Sequence, residues 1–269
     1  MAETSVLFSE KNLTLCATDP TGVDHHNVVH SSRLLGLFPL ATTRVTVYAG
    51  GTVEQPGVER VTLGVVSLVA AVTLATGLAV QISDQVINEA FKPEEYFSYF
   101  TIQTMLANLA ALIATGLYRL QSSLDTVALN IVRQALFAYA VVIGLVYNVL
   151  LRGLPTEPGE YVSDIGFPNE ILHVIIPAYI VVDWLITPHN SRLPWRSLGI
   201  GLIYPVAWVS FSLVRGNLTG WYPYDFLDPR EPAEWAGVIT HIVAIALMLT
   251  ALLGLAMWIN RLYCRLRGL

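Results

Sequence analysis

The sequence predicts an all-α fold, a polytopic membrane protein whose six transmembrane helices form a bundle with both termini in the cytoplasm. Three observations predict it: the composition, the grouping of apolar residues into six blocks, and the distribution of basic residues among the loops. The chain has 269 residues, of which 54% are apolar and 13% are charged. Soluble domains are roughly 25% charged, so this composition disfavours a soluble enzyme and excludes a disordered chain. The net charge of −5, without a basic stripe, excludes nucleic acid as a partner.

Long apolar blocks predict the transmembrane helices, because a bilayer core requires roughly 20 consecutive apolar residues per helix. Six blocks meet or approach this length: Val61–Ile82, Tyr96–Tyr118, Val127–Leu151, Ile171–Ile186, Leu198–Val214 and Trp235–Leu262. The fourth and fifth blocks are short and contain Pro177 and Pro205, respectively. Membrane helices tolerate proline where neighbouring groups bond the freed carbonyl, so we expect kinks rather than breaks.

The loops between the blocks alternate in charge. All but four of the 15 basic residues lie before the first block, within or beside the loops after the second and fourth blocks, or at the end of the sixth. The other loops hold only Lys92, Arg152, Arg215 and Arg230, and they are rich in acidic residues. Because basic residues are retained on the cytoplasmic side, this asymmetry predicts a multi-pass protein of the cell membrane with both termini inside.

The segment before the first block has a different character. Residues 1–57 are polar and end in Gly50-Gly51 and Pro56-Gly57, pairs that are typical of loops. They predict a poorly ordered cytoplasmic tail, followed by a six-helix transmembrane domain over residues 58–269. The histidines of the tail lack partners at metal-ligand spacing, and the chain has no glycine-rich phosphate loop. The sequence therefore predicts neither a metal nor a cofactor.

Polar residues recur at helical spacing within the middle four blocks. Residues three, four or seven apart share a helix face, and polar residues inside a bilayer normally face the bundle interior. The stripes are Thr101, Thr104, Asn108 and Thr115; Asn130, Gln134, Asn148 and Arg152; Asn169, His173 and Asp183; and Tyr204, Trp208, Ser212 and Arg215. We expect these four helices to enclose a polar interior, with the first and sixth packed outside, and Asp183 to cap or pair locally.

Several of these side chains are predicted to share one depth in the outer half of the membrane. They are Thr101, His173, Asn148, Arg152 and Arg215, with Tyr222 in the aromatic loop that follows the fifth block. A threonine hydroxyl becomes nucleophilic when a base takes its proton, and histidine titrates near neutral pH. An amide or a cation can stabilise an oxyanion. Together these residue types are the components of a nucleophilic hydrolase.

Each residue also has a purely structural interpretation. Membrane threonines such as Thr101 often bond the carbonyl four residues earlier. His173 can form a hydrogen bond between helices, and the side chains of Arg152 and Arg215 can extend to the lipid headgroups. Tyr222 can belong to an interfacial aromatic belt.

Three motifs resemble the bacterial six-span family called Pr6Pr and, more distantly, the androgen-induced transmembrane hydrolases of animals. The motifs are Tyr99-Phe100-Thr101 with Thr104, Asn169-Glu-Ile-Leu-His173 with Pro177 and Asp183, and Leu218-Thr-Gly-Trp-Tyr-Pro-Tyr-Asp-Phe-Leu227. The likeness covers roughly residues 60–260 and implies a six-span fold. The chain departs from the animal pattern at Asp183, where those proteins have Glu, and at Asp225, which is an insertion.

The animal relatives are threonine hydrolases that cleave fatty-acid esters of hydroxy fatty acids with one intramembrane Thr and one His. The resemblance therefore implies Thr101 as nucleophile and His173 as base, with Thr104 as an alternative nucleophile. The leading hypothesis is an intramembrane Thr/His esterase for which membrane lipid is both environment and substrate.

Two other interpretations remain open. A small transporter or a lipid-binding membrane protein without catalytic activity would explain why the polar stripes of the second and third blocks run the length of their helices. A partner subunit without chemistry of its own is the third interpretation. The sequence does not predict the oligomeric state.

Overall fold

The computed structural model describes residues 56–122, 124–153, 161, 163–187, 191–230 and 234–266, together with four short strands nearer the N-terminus. The chain divides into two units, Met1–Glu54 and Gln55–Leu269. In the first unit β1 (Thr4–Phe8) pairs antiparallel with β2 (Leu13–Ala17), and β3 (Val28–His30) pairs antiparallel with β4 (Val45–Val47). The predicted tail otherwise falls outside the described residues, and its cytoplasmic, poorly ordered character stays a prediction.

The second unit is helical, and six of its helical segments are long and apolar enough to cross a membrane. They are α1 (Val58–Ile87), α3 (Phe100–Gln121), α4 (Val127–Val146) with the π-helical turn π1 (Tyr147–Leu151), α5 (Phe167–Glu170) with π2 (Ile171–Ile175) and α6 (Ile176–Ile186), α7 (Arg196–Thr219), and α8 (Glu234–Leu266). Short helical turns, α2 (Pro93–Tyr96) and a 3₁₀ turn (Asp225–Leu227), precede α3 and α8. The predicted all-α bundle of six membrane-spanning helices is confirmed.

Local sequence signals account for several helix ends. The Thr126 hydroxyl accepts a hydrogen bond from the Leu129 amide at 3.2 Å and caps α4. Helix α7 ends at Gly220, whose φ of 74° is readily adopted only by glycine. The second span begins at Phe100 rather than at Tyr96, because α2 is a separate turn. Neither proline breaks its span, since Pro205 lies inside α7 and Pro177 in the first turn of α6.

Helix α4 lies at the centre of the bundle and contacts α3, α6, α7 and α8, whereas α1 packs closely along α3. The α1–α3 contact depends on two facing glycines. A Cβ on Gly116 would lie 2.7 Å from Leu68 Cγ and 3.0 Å from the Gly64 carbonyl oxygen. Small residues let membrane helices approach this closely, so the two backbones pack without an intervening side chain.

Gly116→Ala is expected to force α1 and α3 apart and to destabilise the protein by about 1–3 kcal/mol, the usual cost of overpacking. Gly199→Ala in α7 is the matched control, because nothing lies within 4 Å of a Cβ at that position. Thermal unfolding of both variants in detergent tests the prediction. A Gly116→Ala protein as stable as Gly199→Ala would show that the glycine contact is dispensable.

A buried ion network joins four of the six spans at the end of the bundle where α3 and α6 end. Asp183 of α6 accepts hydrogen bonds from Arg119 Nη1 at 2.7 Å, Arg119 Nη2 at 3.2 Å and Arg133 Nη2 at 2.7 Å. The Arg119 side chain has no exposed surface. The expectation that Asp183 caps or pairs only locally is wrong, because its main partners come from α3 and α4.

The network extends to α1 and to the loop before α4. Arg133 Nη1 lies 3.2 Å from Asp125, and Arg60 Nη2 lies 2.6 Å from the same carboxylate. Arg119 also donates to the Ser67 hydroxyl of α1 at 2.9 Å. The first span therefore contributes polar side chains to the interior instead of packing outside it. Arginines that look like loop charges in the sequence are structural residues of the helix bundle.

Candidate active site

A mainly apolar cavity of about 140 Å³ lies at the opposite end of the bundle, and both Thr101 and His173 line it. Its wall is formed by the start of α3, the end of α4, both π-helical turns, the middle of α7, the loop after α7 and the first half of α8. The expectation that the sixth span packs outside is corrected here, because α8 forms one wall of the cavity.

Thr101 lies in the first turn of α3 and is 9% exposed. Its hydroxyl oxygen is 3.4 Å from the hydroxyl of Tyr224, which also lines the cavity. Tyr224 follows α7, and its ring packs against Tyr99, Trp208 and Phe226, with centroids 5.0–5.9 Å apart. Burial raises the pKa of the Tyr224 phenol, so its O–H remains protonated and can donate a hydrogen bond at the cavity wall.

His173 lies in π2, and its ring is oriented from two sides. Nδ1 is 3.0 Å from the Asn169 carbonyl oxygen, which can only accept a hydrogen bond. Nδ1 therefore carries the proton, and Nε2 has a free lone pair, the form that a general base requires. The ring stacks on Tyr147 of π1, with centroids 4.0 Å apart and planes inclined by 19°.

The stacked rings bring the two π-helical turns of the bundle together at the cavity. π-Helical turns are rare and occur frequently at functional sites. The Arg152–Glu170 ion pair joins the end of π1 to the residue before π2, and the Arg152 guanidinium lies 5.4 Å from the Tyr147 ring centroid. Arg152 thus contacts both turns without lining the cavity itself.

No hydrogen bond joins Thr101 to His173 within the described ranges. The two residues face the same space from different spans, α3 and π2. Catalytic hydrogen bonds are often long or misaligned until substrate binds. The two side chains therefore share a cavity, and a bound substrate would have to bring them into one reaction geometry.

The other predicted site residues do not line the cavity. Thr104 is fully buried one turn further along α3. Asn148 is exposed and donates to the Gly144 carbonyl at 2.7 Å. Asn148 therefore does not lie on the interior face that the stripe predicts. The reason is that π1 contains one more residue per hydrogen-bonded turn than an α-helix, which rotates the side chains of this turn relative to those of α4. Of that stripe, Asn130 and Gln134, which precede the π-helical turn, are fully buried.

Arg215 and Tyr222 shape the loop that carries Tyr224. The Arg215 guanidinium lies 4.3 Å from the Trp221 ring centroid. Tyr222 packs directly on Gly216, where a Cβ would overlap the tyrosine ring. Both residues act on the cavity through the loop conformation.

Sequence reasoning missed two residues that contact the candidate pair, Tyr147 and Tyr224. In the sequence, Tyr224 is one of several aromatic residues in the loop after the fifth block, and Tyr147 lies one position from the predicted polar stripe. Their aromatic character gave no signal, because tyrosines are common at membrane interfaces. Only the packing of α4 against the fourth span, and of the loop against α3, brings them to the site.

Two residues that line the cavity are also exposed on the outer surface of the bundle. Val206 of α7 lines it and is 60% exposed, and Ala246 of α8 lines it and is also exposed. In a membrane this surface faces acyl chains. An apolar ligand in the bilayer would therefore meet the outer side of this cavity wall at α7 and α8.

Comparisons with protein-family models, with curated proteins and with solved structures give no match to this chain.

Proposed function

We propose that this integral membrane protein is an intramembrane esterase that hydrolyses a lipid ester, with Thr101 as nucleophile and His173 as general base. The observation that carries the proposal is that these two residues line one apolar cavity, whose wall also includes exposed residues of α7 and α8. The motifs around Thr101, His173 and Trp221 support membership of the Pr6Pr family. That resemblance favours a fatty-acid ester of a hydroxy fatty acid as the substrate class.

The proposed reaction has two stages. The Thr101 oxygen attacks the ester carbonyl while His173 Nε2 takes the hydroxyl proton, so that an oxygen–carbon bond forms. The bond to the leaving alkoxide then breaks, and the alkoxide receives the proton from His173. In the second stage His173 takes a proton from a water molecule, whose oxygen attacks the acyl-threonine carbonyl. The bond between the acyl carbon and the Thr101 oxygen then breaks, the fatty acid leaves, and the Thr101 oxygen receives the proton from His173. The apolar wall suits an acyl chain, and it excludes bulk water from the carbonyl.

A lipid-binding or transport role without hydrolysis is the second candidate function, and the absence of a direct Thr101–His173 hydrogen bond favours it. A transporter needs a polar route to both sides of the membrane. In the described part of the chain, the end of the bundle opposite the cavity holds the buried Arg119–Asp183–Arg133 cluster. This cluster favours a cavity that is closed at that end, and a closed cavity favours hydrolysis over transport.

The purified full-length protein, treated with an alkyl fluorophosphonate, tests the proposal. We expect the probe to label Thr101, because it reacts with an activated hydroxyl, and labelling should disappear in Thr101→Ala. Thr104→Ala is the matched control, one turn away on the same helix but outside the cavity, and it should label normally. Labelling that survives Thr101→Ala would refute the assignment of the nucleophile, and binding of an ester lipid without turnover would favour the second candidate function.

A further inference from the structure

A second cavity, of about 260 Å³, lies where α7 begins and α8 ends, far along α8 from the candidate active site. Its lining combines two arginines, two tryptophans and an apolar wall. The residues are Trp195, Gly254, Met257, Trp258, Arg261, Leu262 and Arg265. No Asp or Glu occurs among them, so the lining residues carry a net positive charge.

The cavity has a rigid frame. Asn260 of α8 is fully buried and makes two hydrogen bonds to the loop before α7. Its side chain accepts from the Leu193 amide at 2.9 Å and donates to the Ser191 carbonyl at 3.0 Å. These two hydrogen bonds hold the segment that carries Trp195 against α8. The position of Trp195 at the cavity mouth is therefore fixed by backbone contacts.

The Arg261 guanidinium keeps hydrogen-bond donors that are not used within the described residues. Its guanidinium carbon lies 3.9 Å from the Trp195 ring centroid, and Nη2 makes one long contact of 3.4 Å to the Leu193 carbonyl. Nε is shielded from solvent and has no hydrogen-bond partner among the described residues. No carboxylate in the described ranges lies within 4.0 Å of this guanidinium. A partly buried cation without a carboxylate partner is costly, and an anionic ligand in the cavity would pair with the guanidinium charge.

The surroundings indicate that the anion belongs to a lipid. Trp195 and Trp258 are 69% and 61% exposed, as is typical of aromatic residues at a membrane interface. Gly254 lies seven residues before Arg261, roughly 10 Å deeper along the helix, and a Cβ at Gly254 would meet nothing within 4 Å. The cavity thus changes from charged at the helix end to apolar and open at depth, which matches a phosphate followed by an acyl chain.

We propose that this cavity binds an anionic phospholipid, with its phosphate on Arg261 and Arg265 and an acyl chain along Gly254 and Trp258. Basic cavities between transmembrane helices are known to bind anionic headgroups. The site is separate from the proposed active site. A lipid there would bridge the start of α7 to the end of α8 and stabilise the contact between these two spans.

Native mass spectrometry of the full-length protein, with phosphatidylglycerol or phosphatidylcholine of identical acyl chains, tests the proposal. We expect tighter binding of phosphatidylglycerol, and Arg261→Gln should weaken it about fivefold, the effect of one basic residue near a membrane surface. Arg196→Gln is the matched control, because it removes a charge at the same end of the bundle but does not line the cavity. Equal losses in both variants would refute a specific site.

Gly254→Leu tests the acyl-chain part of the site independently of any folding defect in Arg261→Gln. Leucine should fill the apolar end and displace phosphatidylglycerol, whereas Gly254→Ala should leave binding nearly unchanged. Inorganic phosphate is the third probe, and we expect it not to compete at millimolar concentration. Unaltered lipid binding by Gly254→Leu, or full displacement by inorganic phosphate, would overturn the proposal of a phospholipid.

Discussion

Asp183→Asn is expected to destabilise the protein by about 3–5 kcal/mol, the usual cost of removing one partner from a buried ion pair. The carboxylate of Asp183 accepts from Arg119 and Arg133 at 2.7 Å each. Both guanidinium groups are buried, and the asparagine would leave the Arg119 charge without a carboxylate partner and Arg133 with Asp125 alone. The measurement is thermal or denaturant unfolding of the purified protein in detergent.

Glu95→Gln is the control for this prediction, because it removes a carboxylate from an exposed pair. Lys92 and Glu95 are 3.4 Å apart, and their side chains are 64% and 27% exposed. Exposed ion pairs contribute about 0–1 kcal/mol, so this variant should unfold almost as the parent does. Similar stabilities of the Asp183 and Glu95 variants would show that water or lipid headgroups reach the network and that it is not a buried cluster.

His173→Gln is expected to lower ester hydrolysis by about 10²–10⁴-fold, the usual contribution of a general base. The expectation rests on the proposed function. Glutamine has no group that accepts a proton near neutral pH, although its amide can still bond the Asn169 carbonyl. Fluorophosphonate labelling of Thr101 should fall in parallel, because the hydroxyl loses its activation.

His241→Gln gives the matched control for His173→Gln. Its Nδ1 also contacts a carbonyl four residues earlier, that of Gly237 at 2.9 Å, but it does not line the cavity. This variant therefore loses a histidine from a similar local setting but keeps the proposed base, His173, and its esterase activity should persist. Equal losses in the two variants would point to helix distortion instead of catalysis, and unchanged hydrolysis by His173→Gln would eliminate His173 as the base.

The sequence predicted the helices well but the side-chain register less completely. Apolar blocks are a local property, and a helix is the natural way to satisfy the backbone of one chain segment in lipid, so six spans follow directly from composition. Helical spacing placed Asn130 and Gln134 in the interior, where both are fully buried. It failed at Asn148, because π1 changes the number of residues per turn, and the sequence pattern carried no signal of that turn.

Charge was the least reliable guide to position. Arg119 and Arg133 occur near helix ends, and the sequence alone counts them with the basic residues of the cytoplasmic loops. Their burial depends on the Asp183 carboxylate, which belongs to a span more than 40 residues away in the chain. An ion pair between spans becomes visible only when the packing of the helices is known.

The sequence by itself determined that this is an integral membrane protein of six apolar helices. It also identified Thr101 and His173 as polar residues within spans, where a polar side chain requires a polar partner or a function. The tertiary structure decided that the two side chains share one cavity, that Tyr147 and Tyr224 contact them, and that Asp183 holds two arginines. The physical reason is the range of the forces. Burial in lipid and backbone hydrogen bonding act on each segment alone, whereas a cavity and its polar contacts form only where several helices pack together.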